Sequence, residues 1–355
     1  MLIIDFETRS RCDLKKHGAY IYAADPSTDI ICMSAVDTQS SAEWLWYPGN
    51  TVDTGDYDTQ LPFDLFEAIL AAPFIVAHNV EFDRLIWEYV AVPDYGFPEI
   101  CPSKWYCSMA HCRVNGLPAA LDDAAWALGL KNRKHAGGKN LIKQLSIPQD
   151  DGTFNKDPKL IKEMGAYCLQ DSIVVKDILA CTRSMTADEH KDWLVNFRIN
   201  DRGVRLDMQL AKDALQYADE EQAEIGDLLS ELTEGKITKH TQTARIREYL
   251  IDILPGYSPV IDAMVVYKKG VKKFSLDKSV RKNILAMDDI SDKVFELVDL
   301  LDDGNKSSVA KFKRMRLLAD PDDQRARGVF HFAGAAATLR YTSRGIQLHN
   351  MRREC

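Results

Sequence analysis

The stretch Leu2-Ile3-Ile4-Asp5-Phe6-Glu7-Thr8, at the head of the chain, decides the fold. An apolar run of this length cut short by polar residues reads as a buried strand. Side chains two apart on a strand share one face, so Asp5 and Glu7 project together, about 7 Å apart at the backbone. Most carboxylates are solvated surface charges. One set between Leu-Ile-Ile and Phe resists that reading.

Two further acids stand in related settings. Asp83 closes Ala77-His78-Asn79-Val80-Glu81-Phe82-Asp83, where an apolar strand over residues 73–77 gives way to a helix. Asp171 follows Tyr167 by four residues within the helical stretch Leu160 to Ala180, so the two stack on one helix face. Four carboxylates brought together are costly unless divalent cations neutralise them. Mg²⁺ and Mn²⁺ prefer such oxygen ligands, and two of these ions about 4 Å apart can flank a phosphodiester. Asp-x-Glu and Tyr-x-x-x-Asp are each common by chance, and Asn-x-x-Phe-Asp is rarer. Order, spacing and element type together carry the weight.

Asp5-Phe6-Glu7-Thr8, Asn79-Val80-Glu81-Phe82-Asp83 and Tyr167-Cys168-Leu169-Gln170-Asp171 resemble the three exonuclease motifs of the DEDD superfamily, tyrosine subtype. The histidine subtype places its histidine five residues before the last Asp, and here position 166 is Ala. Downstream, Asn200-Asp201-Arg202-Gly203-Val204-Arg205-Leu206-Asp207 resembles the segment that opens the polymerase part of family A (DNA polymerase I-like) enzymes. Ala337-Thr338-Leu339-Arg340-Tyr341-Thr342-Ser343-Arg344 through Gln347-Leu348-His349-Asn350-Met351 is similar to their stretch leading into the palm. Leu339 stands where that family usually has Gly, and His349 where it usually has Gln.

The resemblance implies an α/β, ribonuclease H-like 3′→5′ exonuclease core over residues 1–185. A mainly helical thumb-like region and the segment leading into the palm follow over residues 186–355. It implies two divalent metal ions, Mg²⁺ or Mn²⁺. Asp5, Glu7 and Asp171 would hold the metal beside the attacking water, Asp5 would bridge to the second metal, and Asp83 would reach that ion. Tyr167 would orient the water, while Asn79 and Phe82 would support the motif, as an amide that ties the loop and a ring packed in the core. The expected reaction releases nucleoside 5′-monophosphates from single-stranded or frayed 3′ ends. Because the chain starts at the nuclease and stops at Cys355, before the family's first metal-binding polymerase Asp, a phage-type enzyme with an incomplete polymerase is expected. No templated nucleotide addition is expected from this chain alone. An RNA-trimming DEDD exonuclease and a non-catalytic DNA-binding fragment are the competing readings.

Composition is ordinary for a globular protein, with 46% hydrophobic and 28% charged residues in 355. No apolar run approaches the roughly 18 residues that span a membrane, so no membrane partner is expected; the resemblance implies a monomer acting on DNA in a host cytoplasm. Scattered cysteines without a C-x₂₋₄-C unit read as free thiols. The net charge of −8 is unevenly divided: residues 1–100 hold 5 basic and 17 acidic residues, residues 101–184 hold 12 and 8. Lys131, Arg133, Lys134, Lys139 and Lys143 form a run without an intervening acid, and Lys268, Lys269, Lys272 and Lys273 lie between Tyr267 and Phe274. Either cluster could track a phosphate backbone, and the resemblance adds Arg340, Arg344 and Asn350 as DNA contacts.

Strands are predicted over 1–7, 29–36, 42–47 and 73–77, and helices over 64–71, 82–90 and 120–128. Asp157-Pro158 marks a helix start running towards Cys181. Thr186-Ala187-Asp188-Glu189 is a capping box, and a domain boundary is placed near residue 185. Beyond it, helical patterns cover Gln209–Leu232, Lys278–Asp303 and Val309–Leu318, with few strand runs. Gly137-Gly138-Lys139 lacks the spacing and the Ser/Thr of a phosphate-binding loop.

Overall fold

The computed structural model describes residues 1–49, 60–133, 137–268, 270–305 and 310–351. The chain divides into two compact units. The first comprises residues 1–206 together with the chain from Leu317 onward, and the second residues 207–316.

The first unit is built on a five-stranded sheet in the order β3-β2-β1-β4-β5, with β1 Leu2–Arg9, β2 Asp29–Asp37, β3 Glu43–Trp46, β4 Ile75–Ala77 and β5 Trp105–Cys107. The first three strands run antiparallel, whereas β4 lies parallel to β1 and β5 parallel to β4. β1 is the middle strand. Leu2, Ile3 and Ile4 are all buried because helices cover both faces, which is why its apolar residues run consecutively rather than alternate. Each such side chain contributes about 1.5–3 kcal/mol by leaving water. β5 carries no alternation and was not read from sequence; its short Trp-Tyr-Cys run is an edge strand completed by pairing.

The helices that bear on the site are α1 Ala19–Ala24, α2 Glu81–Ile86, α3 Gly138–Leu145, α4 Pro158–Cys181 and α5 Ala187–Arg202. The helix expected over 82–90 is α2 followed by a π-helical segment, Trp87–Ala91. α4 begins as anticipated, with Asp157 accepting from the Lys159 amide and Pro158 in the first turn. Its buried face, from Ile161 through Ile178, lies against β1 and β2. There Ser34 Oγ meets Cys168 O at 3.0 Å and Ser172 Oγ at 2.8 Å.

The packing does not divide at residue 185. α5 starts at the expected Thr186–Glu189 box, but Trp193 and Phe197 on it are buried in the same core as β1. The chain after Leu317 then returns to this unit: Arg325–Ala326 pairs with Val204–Arg205, and Arg113 donates to Phe332 O at 2.9 Å. Apolar burial, not the helix start, sets where the unit ends.

The second unit is mainly helical, with α6 Met208–Leu232, α7 Thr243–Ile253, α8 Pro259–Met264, α9 Lys278–Leu285 and α10 Asp292–Gly304. Leu229, Ile246, Leu250, Met264, Ile284, Leu297 and Leu301 form its core. The pattern read as one helix over Lys278–Asp303 breaks after Leu285, and a second helix, α10, starts after Ser291. An antiparallel hairpin, Val265–Lys268 with Val271–Phe274, turns at Gly270, whose φ of 77° suits glycine. This hairpin carries the second lysine cluster.

Candidate active site

β4 stops at Ala77 after pairing with β1 only through Leu2 and Ile3. Further along β1, on the side where β4 has ended, the Phe6 amide donates instead to Asp83 Oδ1 at 3.1 Å. The turn that makes this possible is Asn79. Its φ of 67° is left-handed, a conformation asparagine tolerates better than most residues, and its carbonyl accepts from Phe82 N as α2 begins. Asn79 thus shapes the loop through its backbone. Phe82 is only half-buried and sits at the margin of the core, tilted against Tyr22 at 5.9 Å.

Asp5 and Asp171 line one cavity of about 80 Å³ together with Ile4, His78, Leu121, Ser172 and Val175. The Cys168 thiol donates to Asp5 O at 3.2 Å and so ties α4 to the strand at this point. Burial, then the neighbouring Cys32 thiol, then the Asp5 and Glu7 carboxylates push the Cys168 thiol well up. Asp5, which shares its cavity with Asp171 and Ser172, thus faces α4. Asp83 is almost wholly buried, and burial pushes its carboxyl up to about 7 against the opposing Phe6 amide bond. Tyr167 is buried among Leu141, Leu145, Ile161 and Met164.

Among the described residues, no group of three or more His, Cys, Asp or Glu side chains stands arranged to hold a metal ion. The donor chemistry of the motif acids nevertheless fits a hard divalent cation. Asp5, Glu7, Asp83 and Asp171 offer only carboxylate oxygens, and a buried carboxylate disfavoured by desolvation gains from a nearby positive charge.

No family model matches the chain. A DNA polymerase of Bacillus phage SP02 is 29% identical to it over 364 aligned residues, which take in 99% of this chain and 51% of the phage protein. The chain is thus similar to a phage DNA polymerase along nearly its whole length. A solved structure of the POL domain of Pol1 from M. smegmatis, in complex with DNA primer-template and dNTP, matches it at a TM-score of 0.50. The two are 12% identical, over 100% of this chain and 52% of that one. At that identity the likeness is one of fold. The chain spans about half the length of each of these relatives.

The other residues singled out from the sequence fall into several settings. Lys131 and Lys139 are exposed, while Arg133 pairs with Asp122 at 3.0 Å. Lys272 and Lys273 are exposed on the hairpin, Lys272 lying over the Phe274 ring. Lys134 and Lys269 lie outside the described residues, and so does the Lys268 side chain. Arg340 and Asn350 are exposed. Arg344 is not free to serve DNA alone: it donates to Glu81 Oε1 and to Gly328 O, each at 2.7 Å. Among the described residues no helix is long and apolar enough to cross a membrane.

Sequence reasoning passed over three residues. Glu81 accepts from both Arg344 and Asn200, the latter at 2.9 Å, and Asn200 also pairs with both backbone polar groups of Phe330. His78 lines the Asp5 cavity, with Nε2 on Ala119 O and Nδ1 on Ser108 Oγ, both at 2.9 Å. All three lay inside quoted motifs, but their partners come from distant parts of the chain and leave no local pattern.

Proposed function

We propose that this chain carries the proofreading-type 3′→5′ exonuclease of a family A DNA polymerase, with the catalytic motifs in residues 1–185 and polymerase-related sequence in residues 186–355. One observation carries the reading. Asp5 and Asp171, from opposite ends of the motif set, line a single cavity, and Asp83 is bonded to the backbone between Asp5 and Glu7. The sheet order β3-β2-β1-β4-β5, with three antiparallel and then two parallel strands, supports a ribonuclease H-like core.

Asp5, Glu7, Asp83 and Asp171 would hold two Mg²⁺ or Mn²⁺ ions, which when bound supply Lewis acidity to lower the pKa of water and neutralise developing charge on the leaving 3′-oxygen. Tyr167 offers a phenolic hydroxyl that orients the water for in-line attack on the terminal phosphodiester. Its role is geometric, the placing of a water rather than the removal of its proton. The buried frame around Asp83 excludes water from that side of the site. The exposed lysines of the 131–143 run and of the hairpin offer charge to a phosphate backbone. The substrate is a single-stranded or frayed DNA 3′ end, and the products are nucleoside 5′-monophosphates.

The test is a 5′-labelled single-stranded DNA incubated with Mg²⁺ or Mn²⁺, with and without chelator, beside an RNA of the same sequence. Stepwise shortening of the DNA from its 3′ end, stopped by chelator, is the expected result. Preference for the RNA, or no shortening of either, would sink the reading.

A further inference from the structure

Gly137-Gly138-Lys139 is no phosphate loop, yet Gly138 stands at a point of unusually close approach. It is the first residue of α3 and is buried, and its backbone lies outside the left-handed region, so the demand for glycine there is one of space. A Cβ placed on it would lie 2.7 Å from Cζ and 2.8 Å from Cδ2 of Tyr167, and closer still to Cε2. Such atoms essentially never come within 3.0 Å, so the ring would have to move. The ring has little room to do so. It is packed with Leu141 and Leu145 of α3 and with Ile161, Met164 and Cys168 of its own helix.

We propose that Gly138 is a positioning residue for the exonuclease reaction: the missing side chain lets α3 close over the Tyr167 ring and fixes where its hydroxyl stands. This rests on the exonuclease reading above. The near contacts of a Cβ at Gly138 are all with the Tyr167 ring, so its effect passes through Tyr167. Alanine is otherwise the better residue for the first turn of a helix. A loss on Gly138→Ala therefore has to come from the ring.

The experiment measures single-turnover trimming of single-stranded DNA, and thermal melting, for the full chain, Gly138→Ala, Tyr167→Ala and the double variant. Gly138→Ala should trim about 10- to 100-fold more slowly, the scale expected when a reacting geometry is displaced by about 1 Å. The DNA concentration for half-maximal rate should stay unchanged, because the backbone-tracking lysines are untouched. With Tyr167→Ala already present, adding Gly138→Ala should cost no further rate and should not lower the melting temperature. Full activity in Gly138→Ala, or an equal further loss in the Tyr167→Ala background, overturns the proposal while leaving the exonuclease reading standing. No trimming by the unmodified chain would sink that reading and this proposal with it.

Discussion

Glu81 and Arg344 form an ion pair at 2.7 Å, joining the helix that carries Asp83 to the far end of the described chain. Burial pushes the Glu81 carboxyl up, while Arg344, Arg84 and Asn200 hold it down. Two stretches that resemble polymerase sequence thus meet on the residue two before a candidate catalytic acid. Arg344→Ala should destabilise the first unit by about 1–2 kcal/mol. A half-buried carboxylate would lose its main partner, and the exposure of Arg344 discounts the larger cost of a fully buried pair. Urea unfolding of Arg344→Ala, Glu81→Gln and the double variant checks this; strictly additive losses would show that the pair is not coupled.

Asp5→Ala with Glu7→Ala should abolish 3′ trimming while leaving binding to single-stranded DNA measurable, because the exposed lysines remain. Gel-shift and trimming assays on the same preparation separate the two effects. Full trimming by the double variant would show that the carboxylate assignment is wrong.

Tyr167→Phe should slow trimming about 10- to 100-fold without eliminating it, since orientation of water is a partial contribution and the carboxylates persist. A loss as complete as that of Asp5→Ala would point to proton transfer or a structural role for the phenol.

Frayed or single-stranded 3′ ends should be degraded faster than paired ends, because opening a duplex costs about 1.4 kcal/mol per base-pair step. Equal initial rates on blunt duplex and single strand would contradict a proofreading channel.

Acid should weaken the first unit through two histidines. His111 is buried, with its ring nitrogens on Tyr106 Oη and Thr182 Oγ1, and burial and then Arg183 push it down to about 4. Burial, Arg344 and Arg113 push His331 down to about 4 as well. In the unfolded chain a histidine titrates near 6.5. Between about pH 6.5 and 4 the unfolded state therefore binds more protons, and stability falls as pH falls through that window; above about 6.5 this contribution is constant. The raised carboxyls of Asp83 and Glu81 contribute a slope of opposite sign in this window, so the check is a comparison: between pH 7.5 and 4 the urea midpoint of His111→Gln with His331→Gln should fall less than that of the unmodified chain. An unchanged slope in the double variant would refute the assignment.

Local patterns were enough to place β1, to put Tyr167 and Asp171 on one helix, and to mark where α4 and α5 start. These follow from patterns a few residues long: apolar runs, i to i+4 spacing, and capping residues. The order of the acids along the chain was legible for the same reason. Only the tertiary structure decided that β5 completes the sheet, that the unit runs past residue 185 and takes in the chain from Leu317 onward, and that Arg344 pairs with Glu81. It also decided that Gly138 lies against the Tyr167 ring. Each of these depends on which distant segments share a buried surface. That choice follows from the apolar area and polar groups satisfied across the whole unit, which no local window of sequence contains.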